Sequence, residues 1–293
     1  ISNSIIYAGI CKYSENPDAL AGDVKLNATD SIEIYDNAWV DNSVFSQGSG
    51  GNISLKAFNS ISLVDGIIAN NIEPGGVGKG GNININSGSL SLTDSSEIQA
   101  FLRGDDVENN LPGGQGNAGN ININVRDTVN MPGIKDGFNN QISSFVGIGA
   151  IGIAGNININ AYSLSFADGS ELNSITSGQG NAGNININAR QNISLDGSGD
   201  VILSDRSKGT LFTRIINSVD PEAVGNAGNI QLNTGNLSVT NGAFISSATS
   251  GKGDSGNITI NERDTISFDN FSYVQSQIDT AAIVNGGDIR VKT

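Results

Sequence analysis

The phrase Gly-(Asn/Asp)-apolar-x-apolar recurs along the whole chain. It reads GDVKL at Gly22, GNISL at Gly51, GNINI at Gly81, Gly119, Gly155 and Gly183, GNIQL at Gly228, GNITI at Gly256 and GDIRV at Gly287. Successive glycines are 29, 30, 38, 36, 28, 45, 28 and 31 residues apart. A period with a floor and variable insertions marks a repeat architecture, in which each unit buries its apolar face only against its neighbours.

A second phrase follows each glycine: SIEI at Ser31, SISL at Ser60, SLSL at Ser89, TVNM at Thr128, SLSF at Ser163, NISL at Asn192, NLSV at Asn236 and TISF at Thr265. Both phrases alternate polar and apolar residues, the period of a half-buried strand. Turn residues come next, at Asp36-Asn37, Asp65-Gly66, Asp168-Gly169, Asp196-Gly197 and Asp269-Asn270. A third short apolar stretch then follows: Trp39-Val40, Ile67-Ile68, Ile98, Ile142, Leu172, Leu211-Phe212, Phe244-Ile245 and Tyr273-Val274. Helical spacing is absent from the repeat.

Three short strands per unit predict an all-β solenoid, a parallel β-helix of about eight coils. The right-handed form is expected by analogy with parallel crossovers. In one unit Ile53, Leu55, Ile61 and Leu63 face the core, and Ser54, Ser60 and Ser62 face water. At about 4.8 Å per coil the stack is roughly 40 Å long. The expected organisation is one solenoid over residues 1–293, with loop insertions at 101–118, 132–140 and 198–210. The chain is expected to enter at a third strand, in NSIIYAGI, and to leave after a lone first strand at 288–291. Both ends are then open, as in a fragment of a longer chain, and copies stacking head to tail would cover them.

Composition narrows the partners. The chain has 15 Lys+Arg against 29 Asp+Glu, a net charge of −14. A nucleic-acid surface needs the opposite sign. No apolar run reaches spanning length, so membrane insertion is not expected. The lone Cys11 excludes an intrachain disulfide and leaves the compartment open. There is no His, which removes Ser-His-Asp and Cys-His catalysis and His-ligated metal sites.

Four groups of residues remain as candidates. Asn52, Asn82, Asn120, Asn156, Asn184, Asn229 and Asn257 follow the repeat glycines and are expected to form one vertical ladder. Asn tolerates turns, and stacked amides hydrogen-bond along a row, so this ladder is structural. Asn84, Asn122, Asn158 and Asn186 form an outward row, read either as structural or as a row that meets sugar hydroxyls. Asp36, Asp65, Asp94, Asp168, Asp196 and Asp269 are expected near one corner. Calcium there would need six to eight oxygens drawn together, and turn formation is the competing reading. No other cofactor is expected.

The fourth group is catalytic in type. Many parallel β-helices cleave polysaccharides with carboxylates or an Arg/Lys base. Such residues here are Asp105, Asp106 and Glu108 on one insertion, and Asp200, Asp205, Arg206, Lys208 and Arg214 in the longest repeat. The two sets lie coils apart, and paired carboxylates must meet within roughly 5–10 Å. Solvated loop charge is the competing reading. RGDD at Arg103 is a short chance-prone match, and GGVGKGGN at Gly75 lacks the Ser/Thr and spacing of a phosphate loop.

The repeats GGNININSGSLSLTDSSEIQA (80–100), GQGNAGNININARQNISLDG (178–197) and GNIQLNTGNLSVTNGAFISSATSGKGDSGNITI (228–260) closely resemble those of filamentous-haemagglutinin-like exoproteins, especially cyanobacterial ones. The likeness covers nearly the whole chain. It implies a right-handed β-helical stem exported by two-partner secretion and acting at the bacterial surface as an adhesin or extracellular fibre. It also implies an outer-membrane secretion partner and surface glycans or matrix as partners. It supplies no catalytic residue. The function expected is therefore non-enzymatic, with a polysaccharide lyase or glycoside hydrolase as the alternative.

Overall fold

The computed structural model describes residues 1–14, 16–134, 137–202, 207–279 and 284–292. Among them there is no helix, and most strands belong to three parallel ladders. The chain is a parallel β-helix.

The first ladder is built by the repeat-glycine phrase. It stacks Val24–Ala28, Ile53–Ala57, Ile83–Ser87 and Ile121–Val125, then the opening halves of Ile157–Ala167, Ile185–Asp196, Ile230–Thr240 and Ile258–Phe268, and finally Ile289–Lys292. The second ladder is the Ser/Thr/Asn phrase, paired in register from Ser31–Asp41 to Ile258–Phe268. The third runs from Ile5–Tyr7 through residues 39–41 and 67–69, the closing parts of Ser31–Asp41 and Ser60–Ala69, then Glu97–Leu102, Gln141–Val146, Glu171–Thr176, Arg214–Val219 and Phe244–Thr249 to Tyr273–Ile278. The strands expected at the two ends are present.

The alternation places apolar residues as expected. Ile53, Leu55, Ile61 and Leu63 are fully buried, and so are their stacked equivalents such as Ile157, Ile159, Ile185 and Ile187. Burying one such side chain contributes about 1.5–3 kcal/mol. These residues join one continuous core.

Three features differ from the sequence reading. First, the third strand of the longest repeat is Arg214–Val219, with Ile215 in the core, and not Leu211-Phe212. Leu211 and Phe212 belong to Lys208–Phe212, which pairs antiparallel with Ser198–Ile202. Of the insertion expected as a loop at 198–210, residues 198–202 and 208–210 are thus in these paired strands, with the Ile202 N–H donating to the Gly137 carbonyl (2.9 Å), and residues 203–206 lie outside the described residues. Lys208–Phe212 ends on the adjacent apolar pair Leu211-Phe212 and the coil strand carries its own pair, Ile215-Ile216, so apolar content alone could not tell the two apart. Second, residues 101–102 and 115–117 of the expected 101–118 loop lie in strands. Of the 132–140 insertion, residues 135–136 lie outside the described residues.

Third, a fourth, very short ladder exists: Gln47–Ser49, Val77–Lys79, Gln115–Asn117 and Ile151–Ile153, continued by bridges at Gln179, Val224 and Lys252. Gly48, Gly78, Gly116 and Gly152 stack at its centre, with Gly180 next above. Gly180 has φ +139°, and a Cβ there would sit 1.5 Å from the Gly152 carbonyl oxygen. Only glycine fits such a close approach in that conformation. The loop before Gly183 therefore takes part in this ladder through Gln179.

The corner before each repeat glycine is closed from inside. Asn70 donates to the Gly51 carbonyl (2.9 Å) and accepts from the Gly81 N–H (3.1 Å); Asn217 does the same with Gly183 (2.6 Å) and Gly228 (2.7 Å). In other coils Ser174 and Ser247 accept from Gly183 and Gly256. Buried backbone groups need such partners.

Candidate functional site

Outward residues of the first ladder form three columns. The corner column is Asp23, Asn52, Asn82, Asn120, Asn156, Asn184, Asn229, Asn257 and Asp288. Its bonds differ from a plain side-chain stack. Each side-chain Oδ1 accepts the backbone N–H of the next residue up: Asn82 from Asn120 (2.9 Å), Asn120 from Asn156 (2.8 Å), Asn156 from Asn184 (2.8 Å), through to Asn257 from Asp288 (2.7 Å). Asp23 starts the series by accepting from Asn52 at 2.8 Å. Its carboxyl is held below the usual carboxylate range by Lys25 first and by the Asn52 N–H second. Because these amides hold the corner backbone, the ladder is structural.

The second column is Lys25, Ser54, Asn84, Asn122, Asn158, Asn186, Gln231, Thr259 and Arg290. Here side chains bond to side chains. Nδ2 of Asn122 donates to Asn84 (3.0 Å), Asn158 to Asn122 (2.9 Å) and Asn186 to Asn158 (3.0 Å). The outward row expected from sequence is present and continuous.

The third column was not recognised in the sequence as a row. It runs Asn27, Lys56, Asn86, Asn124, Asn160, Asn188, Asn233, Asn261 and Lys292. Asn160 donates to Asn124 (2.8 Å), Asn188 to Asn160 (2.9 Å), Asn233 to Asn188 (2.6 Å) and Asn261 to Asn233 (2.6 Å). The signal was present in the second Asn of the ININ phrases, two residues beyond the first.

A primary amide has two N–H groups and two acceptor lone pairs. One of each is used along a column, and the others face outward. Columns two and three hold no carboxylate. The repeat is about 4.8 Å along the stack and about 6.6 Å between columns. Asn184, Asn186, Asn229 and Gln231 line a shallow polar hollow of about 350 Å³ between columns one and two.

The other candidates are placed differently. Asp36, Asp65, Asp94 and Asp168 have positive φ between 45° and 56°, as turn formers. Among the described residues no group of three or more acidic, Cys or His side chains is arranged to hold a metal ion. Asp105 accepts the Gly113 N–H (2.6 Å), and Asp106 accepts the N–H and Nδ2 of Asn109. The Asn109 bonds hold the Asp106 carboxyl below its ordinary range. Arg103 of the RGDD stretch donates to Gln99 (2.8 Å) and lies 4.8 Å from the Phe101 ring centre. Arg214 pairs with Glu171 at 3.0 Å. Asp200 and Lys208 are on the antiparallel pair of strands, and Asp205 and Arg206 lie outside the described residues. Among the described residues no hydrogen bond or ion pair joins the 105–108 set to the 200–214 set.

The structure adds one acidic cluster. Asp41, Glu73 and Glu97 sit on and beside the third ladder around Arg103, whose Nε is 3.9 Å from Glu73 Oε1. Burial pushes all three carboxyls above their ordinary range, and Arg103 opposes the shift in each. Burial, with the nearby Cys11 and Asp41, also raises the Tyr7 hydroxyl. These residues are far apart in sequence and carry no shared motif.

No protein-family model, curated protein or solved structure matches the chain.

Proposed function

We propose that the chain is a non-enzymatic stem of an exported bacterial surface protein, of the filamentous-haemagglutinin-like kind, whose first-ladder face meets carbohydrate. The observation that carries this reading is the pair of amide columns, two and three. They give a long face of fixed hydrogen-bond donors and acceptors. Sugar hydroxyls both donate and accept, so an amide answers either role. A rod-like scaffold repeats the same contact many times, and weak contacts sum by avidity. The likeness of the repeats to such exoproteins supports export through an outer-membrane partner and work outside the cell.

Native electrophoresis in gels containing soluble polysaccharides tests this. Retardation by a glycan, reduced in the double variant Asn122→Ala/Asn158→Ala, is expected. Unchanged mobility in every glycan would overturn it.

A second reading, polysaccharide cleavage, draws on the Asp41, Glu73 and Glu97 cluster, since raised carboxyl groups in a cleft suit proton transfer. It requires release of reducing ends or unsaturated sugars, lost in Glu73→Gln. Absence of release from neutral and acidic polysaccharides would end it.

A further inference from the structure

Two corner clefts of the same construction flank column three. They lie where the first ladder turns into the second. In the third coil this corner carries Gly88, between coils that carry Phe58 below and Arg126 above. In the seventh coil it carries Gly235, between Arg190 and Arg263. At each glycine a missing side chain opens a gap, and the upper arginine crosses it. Nη2 of Arg126 donates to the Phe58 carbonyl, and Nη2 of Arg263 to the Arg190 carbonyl. A Cβ would come within 3.0 Å of the arginine nitrogen at Gly88 and 3.2 Å at Gly235. In both coils a hydroxyl bridges past the glycine: Ser87 to the Ser89 carbonyl (2.7 Å) and Thr234 to the Asn236 carbonyl (2.9 Å).

Each strap leaves a cleft opening toward column three. The first holds about 290 Å³ and is bordered by Lys56, Phe58, Asn86, Asn124 and Arg126. The second holds about 320 Å³ and is bordered by Arg190, Asn233, Thr234, Asn261, Glu262 and Arg263. Glu262 occupies an inward position that is Ala189 and Thr234 in the two coils beneath. It is 5% exposed, and its Oε1 has no hydrogen-bond partner. A buried carboxylate oxygen without a donor is costly and calls for a partner from outside the chain.

We propose that these two clefts are subsites for one extended, uncharged polysaccharide that lies along column three. The inference rests on the reading of this face as carbohydrate-binding and assigns it ends and a ligand class. The clefts are four coils apart, about 19 Å at the spacing of stacked strands. Asn86, Asn124, Asn160, Asn188 and Asn233 form the path between them. The wall chemistry chooses the ligand. Arginines offer donors, Glu262 offers an acceptor, and the amides offer both, so a polyhydroxylated chain satisfies every group. The Ala57 and Ala189 floors and the Phe58 ring, 65% exposed, suit the C–H faces of sugar rings. The walls carry Lys56, Arg126, Arg190 and Arg263 against Glu262, so exclusion of a polyanion rests on Glu262 and on the chain's net charge of −14, and alginate tests it.

The test uses the whole chain in native gels cast with hydroxyethylcellulose or mixed-linkage β-glucan, with alginate as the charged comparator. Wild type is expected to be retarded by a neutral polymer and not by alginate. Asn86→Ala and Asn233→Ala, which remove a hydrogen-bonding group, and Glu262→Gln, which replaces a charged acceptor with a weaker neutral one, are each expected to weaken association about five- to tenfold. Arg263→Ala is compared only if its melting curve matches wild type; otherwise Asn233→Ala and Glu262→Gln carry the test. Cleft variants that bind like wild type, while Asn122→Ala/Asn158→Ala loses binding, would overturn the clefts and leave the face standing. Preferential retardation by alginate would overturn the uncharged ligand. Retardation by none of the polymers would remove the carbohydrate reading itself.

Discussion

Asn156 and Asn158 are two residues apart and share a side chain, but their hydrogen bonds have different worth. Asn156 Oδ1 accepts the Asn184 backbone N–H. Removing it leaves a half-buried corner donor unpaired. Asn158 bonds to the Asn122 side chain, a contact that water can replace and whose loss leaves no backbone group unpaired. Asn156→Ala is therefore expected to cost about 1–2 kcal/mol in urea unfolding, and Asn158→Ala less than about 0.5 kcal/mol. Equal costs would mean the two columns play the same part. The buried carboxyls give a second residue-scale outcome. Asp41, Glu73 and Glu97 have raised pKa values in the fold, so the stability they contribute is fully present below the unfolded values, near 4, and is lost as pH rises through the folded values. The melting temperature is expected to rise as pH falls from neutral toward the ordinary carboxylate range. That rise should shrink in Asp41→Asn/Glu73→Gln/Glu97→Gln. An unchanged slope in the triple variant would show that general charge repulsion alone sets it.

At the scale of the element, period-2 patterning was enough to locate the first two ladders and their core residues. Ile53 and Leu55, or Ile185 and Ile187, needed no tertiary information to be placed inside. Patterning failed where neither of two neighbouring elements alternates strictly. Lys208–Phe212 and Arg214–Val219 each carry an adjacent apolar pair, Leu211-Phe212 and Ile215-Ile216, and only stacking on Glu171–Thr176 decides which is the coil strand. It also failed where the element has no side chain to pattern, as in the glycine-centred short ladder. Of the candidate site, the corner ladder and second column were legible in the Asn spacing. The corner clefts were not, because they arise from a side chain absent at Gly88 and Gly235 and from residues two coils away. The short ladder predicts a contrast between glycines. Gly180→Ala places a Cβ against the Gly152 carbonyl at positive φ, whereas Gly22 has nothing within 4 Å of a Cβ. Gly180→Ala is expected to destabilise by more than about 2 kcal/mol and Gly22→Ala by less than about 0.5 kcal/mol, read from denaturant midpoints.

The whole molecule is a stack in which each coil rests on its neighbours, so stability is shared along one axis. Coils with neighbours on both sides bury their first-ladder apolar residues fully, as at Ile157 and Ile185. In Ile289–Lys292 every residue is exposed. Amide exchange is expected to be slowest for Ile157, Ile159, Ile185 and Ile187 and to quicken coil by coil toward Ile289. Uniform protection along the axis would show a single all-or-none unit. The same axis also organises the outward amides. In column two from Asn84 to Asn186, and in column three from Asn124 to Asn261, each bond runs from Nδ2 of the upper residue to Oδ1 of the one beneath, without reversal. Their bond dipoles share one sense and add. The face is therefore a compass needle rather than a mirror: anything docked on it encounters a head and a tail, and a polymer with two unlike ends is told which way to lie.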